Sequence, residues 1–267
     1  MKAIIQRTMW LCFLATALIS CSKDKDACDP NDEESPCYAG PSGGTELLLT
    51  EQQKNGKTEL QFTYNGQNQV VVRRVHPADG DVVEEHFTYS SSQMTKMERK
   101  SGGELIMSEE YSYASGNRPN SGVVKDDEGE PLADITYTYS GNSVTETFVS
   151  KNGEQMGVNT YTFDDNNNLR MIKLSGGGFI TTDILGDYDD KHYRFTNYPW
   201  DWKLRSANNP RSRTSTTQGA DGAGTNIDHV WEYTYNDAGY PIKAEVFDKQ
   251  SEALVETHTF TYKPANK

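Results

Sequence analysis

The chain has 267 residues, a formal charge of −13 and 34% hydrophobic residues even with Tyr counted. On the set for which globular domains average roughly 45–50% apolar, its share is about 37%, too little for the thick core of an ordinary α/β enzyme. Its 4 Trp, 15 Tyr and 9 Phe exclude a disordered chain, and the acidic balance makes nucleic acid and anionic lipid poor partners, since either needs a basic footprint.

Lys2 and Arg7 form a positive start, and Met9 to Ile19 a short apolar run. That run is too short to span a bilayer and has the length of an export signal, so residues 1–20 are set apart from the fold. It ends in Leu18-Ile19-Ser20-Cys21, which resembles the lipobox of bacterial lipoproteins. An ordinary signal peptide that happens to carry a Cys is the alternative. The resemblance implies that the Cys21 thiol is diacylated before cleavage and that three acyl chains anchor the protein. Each buried CH2 contributes about 0.8 kcal/mol to such anchoring. Ser22-Lys23-Asp24-Lys25-Asp26 looks like the charged signal that sends many Bacteroidota lipoproteins to the outer face of the outer membrane; a solvated acidic tether is the other reading.

Removing residues 1–20 leaves 24 basic and 39 acidic residues, a charge of −15. Cys28 and Cys37 enclose an eight-residue Asp/Glu/Pro segment, and in an oxidising compartment they most simply pair with each other. With no neighbouring His they are an incomplete metal set. Residues 22–45 carry Pro30, Pro36 and Pro41 and end in Ser42-Gly43-Gly44, so they read as a linker. The expected order is a signal peptide over 1–20, the lipidated Cys and tether over 21–45, and a β domain over 46–267.

In that domain a triplet of aromatic, small polar and aromatic residues recurs. It stands at Phe62-Thr63-Tyr64, Phe87-Thr88-Tyr89, Tyr111-Ser112-Tyr113, Tyr137-Thr138-Tyr139 and Tyr161-Thr162-Phe163. It returns as Tyr193-Arg194-Phe195 (a weaker copy), Tyr233-Thr234-Tyr235 and Phe260-Thr261-Tyr262. Rings at i and i+2 share one face of a strand, and the residue between them points the other way. Turn formers such as Asn65-Gly66, Gly141-Asn142 and Asn236-Asp237-Ala238-Gly239 follow, and then a second alternating run comes back. A spacing near 25 residues is two strands and two tight turns. No segment of 10 or more residues after the signal peptide has helical periodicity. The runs predict roughly sixteen antiparallel strands. So large a sheet curls into a single-layer barrel or half-barrel, because an open one rarely exceeds about 10 strands.

Tyr233 to Ile242 and Tyr161 to Leu169 resemble the tyrosine–aspartate (YD) repeats of Rhs-type shells. Lipobox, acidic tether and repeat together look like the Bacteroidota lipoprotein family of unknown function whose fold is described as porin-like, over about residues 46–267. That resemblance brings no catalytic residues. A membrane-spanning porin is the rival architecture, but the face opposite the rings reads Asp134-Thr136-Thr138 and Thr257-Thr259-Thr261, which is costly in lipid. The expected barrel is soluble and not membrane-spanning.

Chemistry-bearing motifs are weak. Gly40-Pro41-Ser42-Gly43-Gly44 has the outline of a nucleophile elbow but lies in the linker. The five His (76, 86, 192, 229 and 258) each sit singly in a predicted strand and read as isolated, exposed side chains. Asp164-x-Asn166-x-Asn168 imitates the start of a calcium loop, but Leu169 and Ser175 stand where Gly and Glu are required. Asp126 to Glu130 and Asp187 to Asp190 are acidic turns where calcium would bind at most weakly. No other cofactor or metal is expected.

Residues 196–228 break the rhythm and read as a long irregular insertion. Tyr198, Trp200, Trp202, Lys203, Arg205, Arg211 and Arg213 make it basic and aromatic, a composition suited to stacking on sugar rings or docking a partner. A plug whose Trp pair packs on the aromatic face of the sheet is the competing reading. The leading functional expectation is a non-enzymatic, lipid-anchored cell-surface protein that displays those seven residues to a glycan or an envelope protein. The alternatives are a structural module or a lumen carrier of a small lipophilic ligand, and less favourably a surface hydrolase, which needs a carboxylate pair in a cleft. Cys21→Ser is expected to leave the domain folded but move it from the membrane to the soluble fraction, as read by cell fractionation.

Overall fold

A computed structural model describes residues 46–267. Cys21, Cys28, Cys37, the signal peptide and nearly all of the tether lie outside the described residues. The alternating runs form β1 (Leu47–Lys54), β2 (Lys57–Tyr64), β3 (Val70–Val75), β4 (Val83–Ser90), β5 (Gln93–Ser101), β6 (Glu104–Ser112), β7 (Ser121–Lys125) and β8 (Pro131–Ser140). They continue as β9 (Ser143–Ser150), β10 (Gln155–Phe163), β11 (Leu169–Gly176), β12 (Phe179–Tyr188), β13 (Pro210–Gly219), β14 (Gly224–Tyr235), β15 (Pro241–Asp248) and β16 (Leu254–Pro264). Every strand pairs antiparallel with its neighbours in the chain. β1 also pairs with β16, so the sixteen strands close into a barrel rather than a half-barrel. The only helix among the described residues is the single turn α1 (Asp201–Leu204).

The turns show why the hairpins form where they do. Between β1 and β2, Asn55 and Gly56 take φ of +51° and +75°, the left-handed pair that matches strand twist. Longer turns share one side-chain device. The Oδ1 of Asn65, Asp126, Asp164 and Asn236 each accepts backbone N–H bonds from residues i+2 and i+4. Asp164 is thus the cap of a hairpin turn. Among the described residues, no group of three or more His, Cys, Asp or Glu is placed to hold a metal ion.

Residues directly opposite across a pair share a face, and following the register separates the two sides of the wall. Outward go Thr136 opposite Thr147 and Thr138 opposite Thr145, with ion pairs Lys96–Glu98, Lys125–Glu110 and Arg74–Glu84 at 2.6 to 2.7 Å. Ile180 and Ile184 are exposed exceptions. Inward go the first rings of the triplets, Phe62, Phe87, Tyr111, Tyr137, Tyr161 and Phe260, together with Leu49, Leu60 and Met97, all buried. The outer wall therefore carries hydroxyls and charges where a membrane barrel carries apolar side chains.

The second ring of the triplet has a different task. Tyr64, Tyr89, Tyr113, Tyr139 and Tyr262 donate their hydroxyls to the backbone carbonyls of Leu49, Val70, Met94, Pro119 and Pro241, at 2.7 to 2.9 Å. Tyr188, at the end of β12, does the same to Leu169 at 2.7 Å. Each bond reaches back 15 to 21 residues, so one end of the barrel is ringed by latches. A partly buried bond of this kind contributes about 1 kcal/mol net.

Two expectations need correction. Tyr193-Arg194-Phe195 belongs to no strand, and Tyr188 holds its place in the latch ring. The irregular segment runs only from 189 to 209, since β13 and β14 occupy most of 210–228. The reason is pairing: the Ser/Thr/Arg run of β13 is alternating and matches β12 residue for residue from Phe179↔Gly219 to Gly186↔Ser212. Tyr89→Phe is expected to lower unfolding free energy by about 1 kcal/mol in urea titration, since it keeps the ring and leaves the Val70 carbonyl without its donor.

Candidate functional site

The segment 189–209 leaves β12 at the latch end and turns into the lumen. Its two ends are tied together, as in a compact Ω-loop. The Asp189 carboxylate accepts from the backbone N–H of Lys191 and Asn209 and from the Tyr235 hydroxyl. The Asn209 side chain in turn donates to the His192 carbonyl at 2.9 Å. Burial pushes the Asp189 carboxyl above its usual range despite these bonds.

Inside, the segment walks around the ring layer of the wall. Phe195 meets Phe62 at 5.8 Å, Trp200 meets Phe87 at 5.2 Å, and Trp202 meets Tyr111 at 5.4 Å and Tyr137 at 6.2 Å, all edge-on. The Lys203 ammonium lies 5.6 Å from the Tyr161 ring centroid, and the Arg205 guanidinium 5.5 Å from that of Phe163. Such ring pairs are worth roughly 0.5–1.5 kcal/mol each beyond area burial. Tyr198, Trp200 and Trp202 are each only 6% exposed and Lys203 3%, so four of the seven predicted ligand-binding residues form a plug instead of a displayed surface. Arg205 is half-buried and donates to Asn167 at 2.8 Å at the rim. Arg211 is exposed at the start of β13. Arg213 points inward and donates to Asp183 at 3.0 and 3.2 Å. The seven residues are therefore not one site. The cause is area: a wide wall leaves the Trp pair far more apolar surface to cover inside than any surface loop offers.

The plug brings buried charges to meet it. Glu85 is shared by Arg73 and Arg99, at 3.2 and 2.7 Å. Burial opposes its ionisation, but the two guanidiniums outweigh it and hold the carboxyl below its usual range. Lys203 donates to Glu146 at 2.6 Å, and Glu146 also accepts from Asn159 and Tyr161. Glu109 accepts from the Tyr111 hydroxyl, which itself accepts from Trp200 Nε1. Burial, reinforced by the Glu146 charge and only partly offset by Lys203, pushes the Glu109 carboxyl above its usual range. Sequence reasoning missed Glu85, Glu109 and Glu146. Their signal was a Glu on the ring-bearing face of β4, β6 and β9, where alternation calls for an apolar residue.

Beyond the plug, away from the latches, the inward side chains turn polar. His258 lies between Glu256, at 3.1 Å from Nε2, and Glu59, at 3.5 Å from Nδ1, and its ring stacks on Trp231 at 5.4 Å. It is 4% exposed, not the isolated surface side chain expected. The two carboxylates outweigh burial and raise its pKa above the ordinary value. The His258 bond, with Lys54 behind it, lowers the Glu256 carboxyl to about 2. His192 also departs from expectation, lying in the plug segment and stacking on Tyr240 at 4.6 Å. Exposure rises outward: the Glu256 and Lys54 side chains are 25% and 38% exposed. At the far rim Ile227, which pairs with the inward Ser215, is 45% exposed.

An antiparallel closed barrel with an aromatic internal plug at one end is the class of protein that these features define. Among solved structures it is similar to a porin-like protein from Bacteroides uniformis ATCC 8492, with 11% identity and a TM-score of 0.49, covering 82% of this chain and 99% of that one. It is also similar to a porin-like protein from Bacteroides vulgatus ATCC 8482, with 11% identity and a TM-score of 0.44, covering 82% of this chain and 100% of that one. No family model and no curated protein matches the chain.

Glu109→Gln gives a test of the buried carboxyl. A folded-state pKa above the unfolded value means that the native protein holds the proton more tightly, so stability falls as pH rises between the two values. Gln imitates the protonated form. Its advantage over wild type in unfolding free energy is expected to be near zero below about pH 4.5 and to grow as pH rises, in urea titrations across pH. Lys203→Met is expected to destabilise by about 3–5 kcal/mol in the same assay, because it strands Glu146 in the interior.

Proposed function

We propose that this chain is a non-enzymatic, lipid-anchored protein of the outer-membrane surface that holds a small polar ligand in the unplugged part of its lumen. The observation that carries the reading is the contrast between the two ends. The plugged end buries its rings, whereas at the other end lumen-facing groups as different as Lys54, Glu256 and Ile227 keep contact with water. A lumen serving only as structure needs no such solvent-touching charges on its inner side. The ion pairs along its side argue for a polar ligand over the lipophilic cargo that an aromatic lumen suggests.

Orientation supports the same reading. Glu46 accepts from the Ala265 N–H at 2.7 Å beside β1, and Thr196 of the plug bonds the Leu47 carbonyl at 3.0 Å. Residue 46 therefore sits at the plugged end. A tether running from there to a lipidated Cys21 turns the plug toward the membrane and the open mouth outward, toward solutes. A glycan or an envelope protein recognised by the Trp pair is a poorer fit, since both rings are sealed.

The test is thermal unfolding of the purified chain with panels of soluble envelope sugars and small organic acids, alongside native mass spectrometry of protein taken from its own envelope. A ligand that raises Tm in wild type is expected to lose its effect in Ile227→Trp, which narrows the mouth without touching the plug. Co-purification with an envelope protein and no small-molecule response would favour the structural module instead.

A further inference from the structure

We propose that the floor of the open lumen is an oxyanion site built on Arg194, which takes the carboxylate or phosphate group of a small ligand. The proposal rests on the reading of the lumen as a ligand compartment. Arg194 is 2% exposed, and its Nε and Nη1 have no hydrogen-bond partner. The other cations buried in the interior are all matched: Arg73 and Arg99 share Glu85, and Lys203 has Glu146. Arg194 has no carboxylate within ion-pair distance among the described residues, in a chain whose net charge is −13.

What surrounds it is rings. The guanidinium lies 4.9 Å from the Phe195 centroid, 5.4 Å from Trp231, 5.7 Å from Phe260 and 6.0 Å from Tyr193. Ring faces stabilise a cation without occupying its N–H groups, so Nε and Nη1 are left buried without acceptors. Two more stand beside them: Trp231 Nε1 is buried without an acceptor, and the Tyr233 hydroxyl lies next to the guanidinium without reaching hydrogen-bond geometry. An excess of buried donors over acceptors is what an oxyanion satisfies.

Position agrees with this. Trp231 stacks on His258, the innermost member of the charged cluster, so Arg194 lies one ring inward of that cluster, where the plug ends. The carboxylates of the neighbouring groups are committed elsewhere, Glu59 and Glu256 to His258, Asp189 to the Asn209 N–H and the Tyr235 hydroxyl. The backbone holds the residue in place, since Arg194 N–H donates to Asn209 at 3.3 Å. The sequence carries a trace of the role: the middle residue of every strand triplet is Thr or Ser facing outward, and only the copy that left the wall has Arg.

The experiment measures Tm and calorimetric binding for inorganic phosphate, acetate and glucuronate, with glucose as the uncharged control, on wild type, Arg194→Met, Tyr233→Phe and Ile227→Trp. Wild type is expected to respond to at least one oxyanion more strongly than to glucose. Arg194→Met should weaken that response at least tenfold while the empty variant unfolds no lower than wild type, because it removes an uncompensated interior charge. Tyr233→Phe keeps the ring and should weaken binding three- to tenfold, and it carries the test should Arg194→Met fail to fold. A response to phosphate alone, or to acetate and glucuronate alone, selects the source of the oxyanion. An Arg194→Met protein that is destabilised yet still responds overturns the proposal and makes Arg194 a structural brace. A wild-type response to glucose without any to the anions overturns the proposal and leaves the lumen reading intact. Silence toward every probe, with Ile227→Trp indistinguishable from wild type, overturns both.

Discussion

Closing sixteen strands leaves a lumen wider than the side chains of the wall can fill, and the first rings of the triplets are where that gap is met. Phe62, Phe87, Tyr111 and Tyr137 stand at one level around the interior, and Phe195, Trp200 and Trp202 touch them in turn. Without the plug this ring layer would face water, and the low apolar content of the chain offers little else to cover it. Wall and plug are therefore one core in two pieces. The latches on the next ring outward hold the rim to which the plug is tied through Asp189 and Asn209.

Packing a plug into a barrel also forces charges indoors, and the protein settles most of them in pairs. Arg73, which shares Glu85 with Arg99 across β3, β4 and β5, meets Tyr198 and Trp200, and Glu146 meets Lys203, so the plug is joined to β3 and β9 at fixed points. Such pairs rarely add much net stability over apolar packing, but breaking one is costly, which gives them the character of registration pins. Glu109 and Arg194 are the two that this scheme leaves uneven. Burial shifts the Glu109 carboxyl toward its neutral form, whereas Arg194 is met only by ring faces.

The two halves of the interior thus differ in kind. Near the latches the lumen is filled by the plug, although some buried polar atoms there, Trp202 Nε1 and the Tyr137 hydroxyl among them, have no hydrogen-bond partner. Past Trp231 the inward side chains are charged and polar, from the buried His258 out to Lys54, and Ile227 and Phe179 are exposed at the rim. The described chain starts at the plugged end, where Glu46 accepts from the Ala265 N–H.

Much of this was legible in the residues themselves. Period-two alternation, the Asn, Asp and Gly turns and the ring triplets specified sixteen antiparallel strands and the side of the wall on which the rings lie, because each of those signals acts over a few neighbouring residues. The sequence also held both roles open for Tyr198, Trp200 and Trp202. Only closure decided between them, since the apolar surface that draws those rings inward exists only once β1 meets β16. The interior charges were hidden for the same reason: Glu146 meets Lys203, and His258 meets Glu59, across separations of 57 and about 200 residues that no local pattern spans. Local chemistry determined the strands and their faces, and the tertiary structure decided which interior polar groups would be paired and which left without a partner.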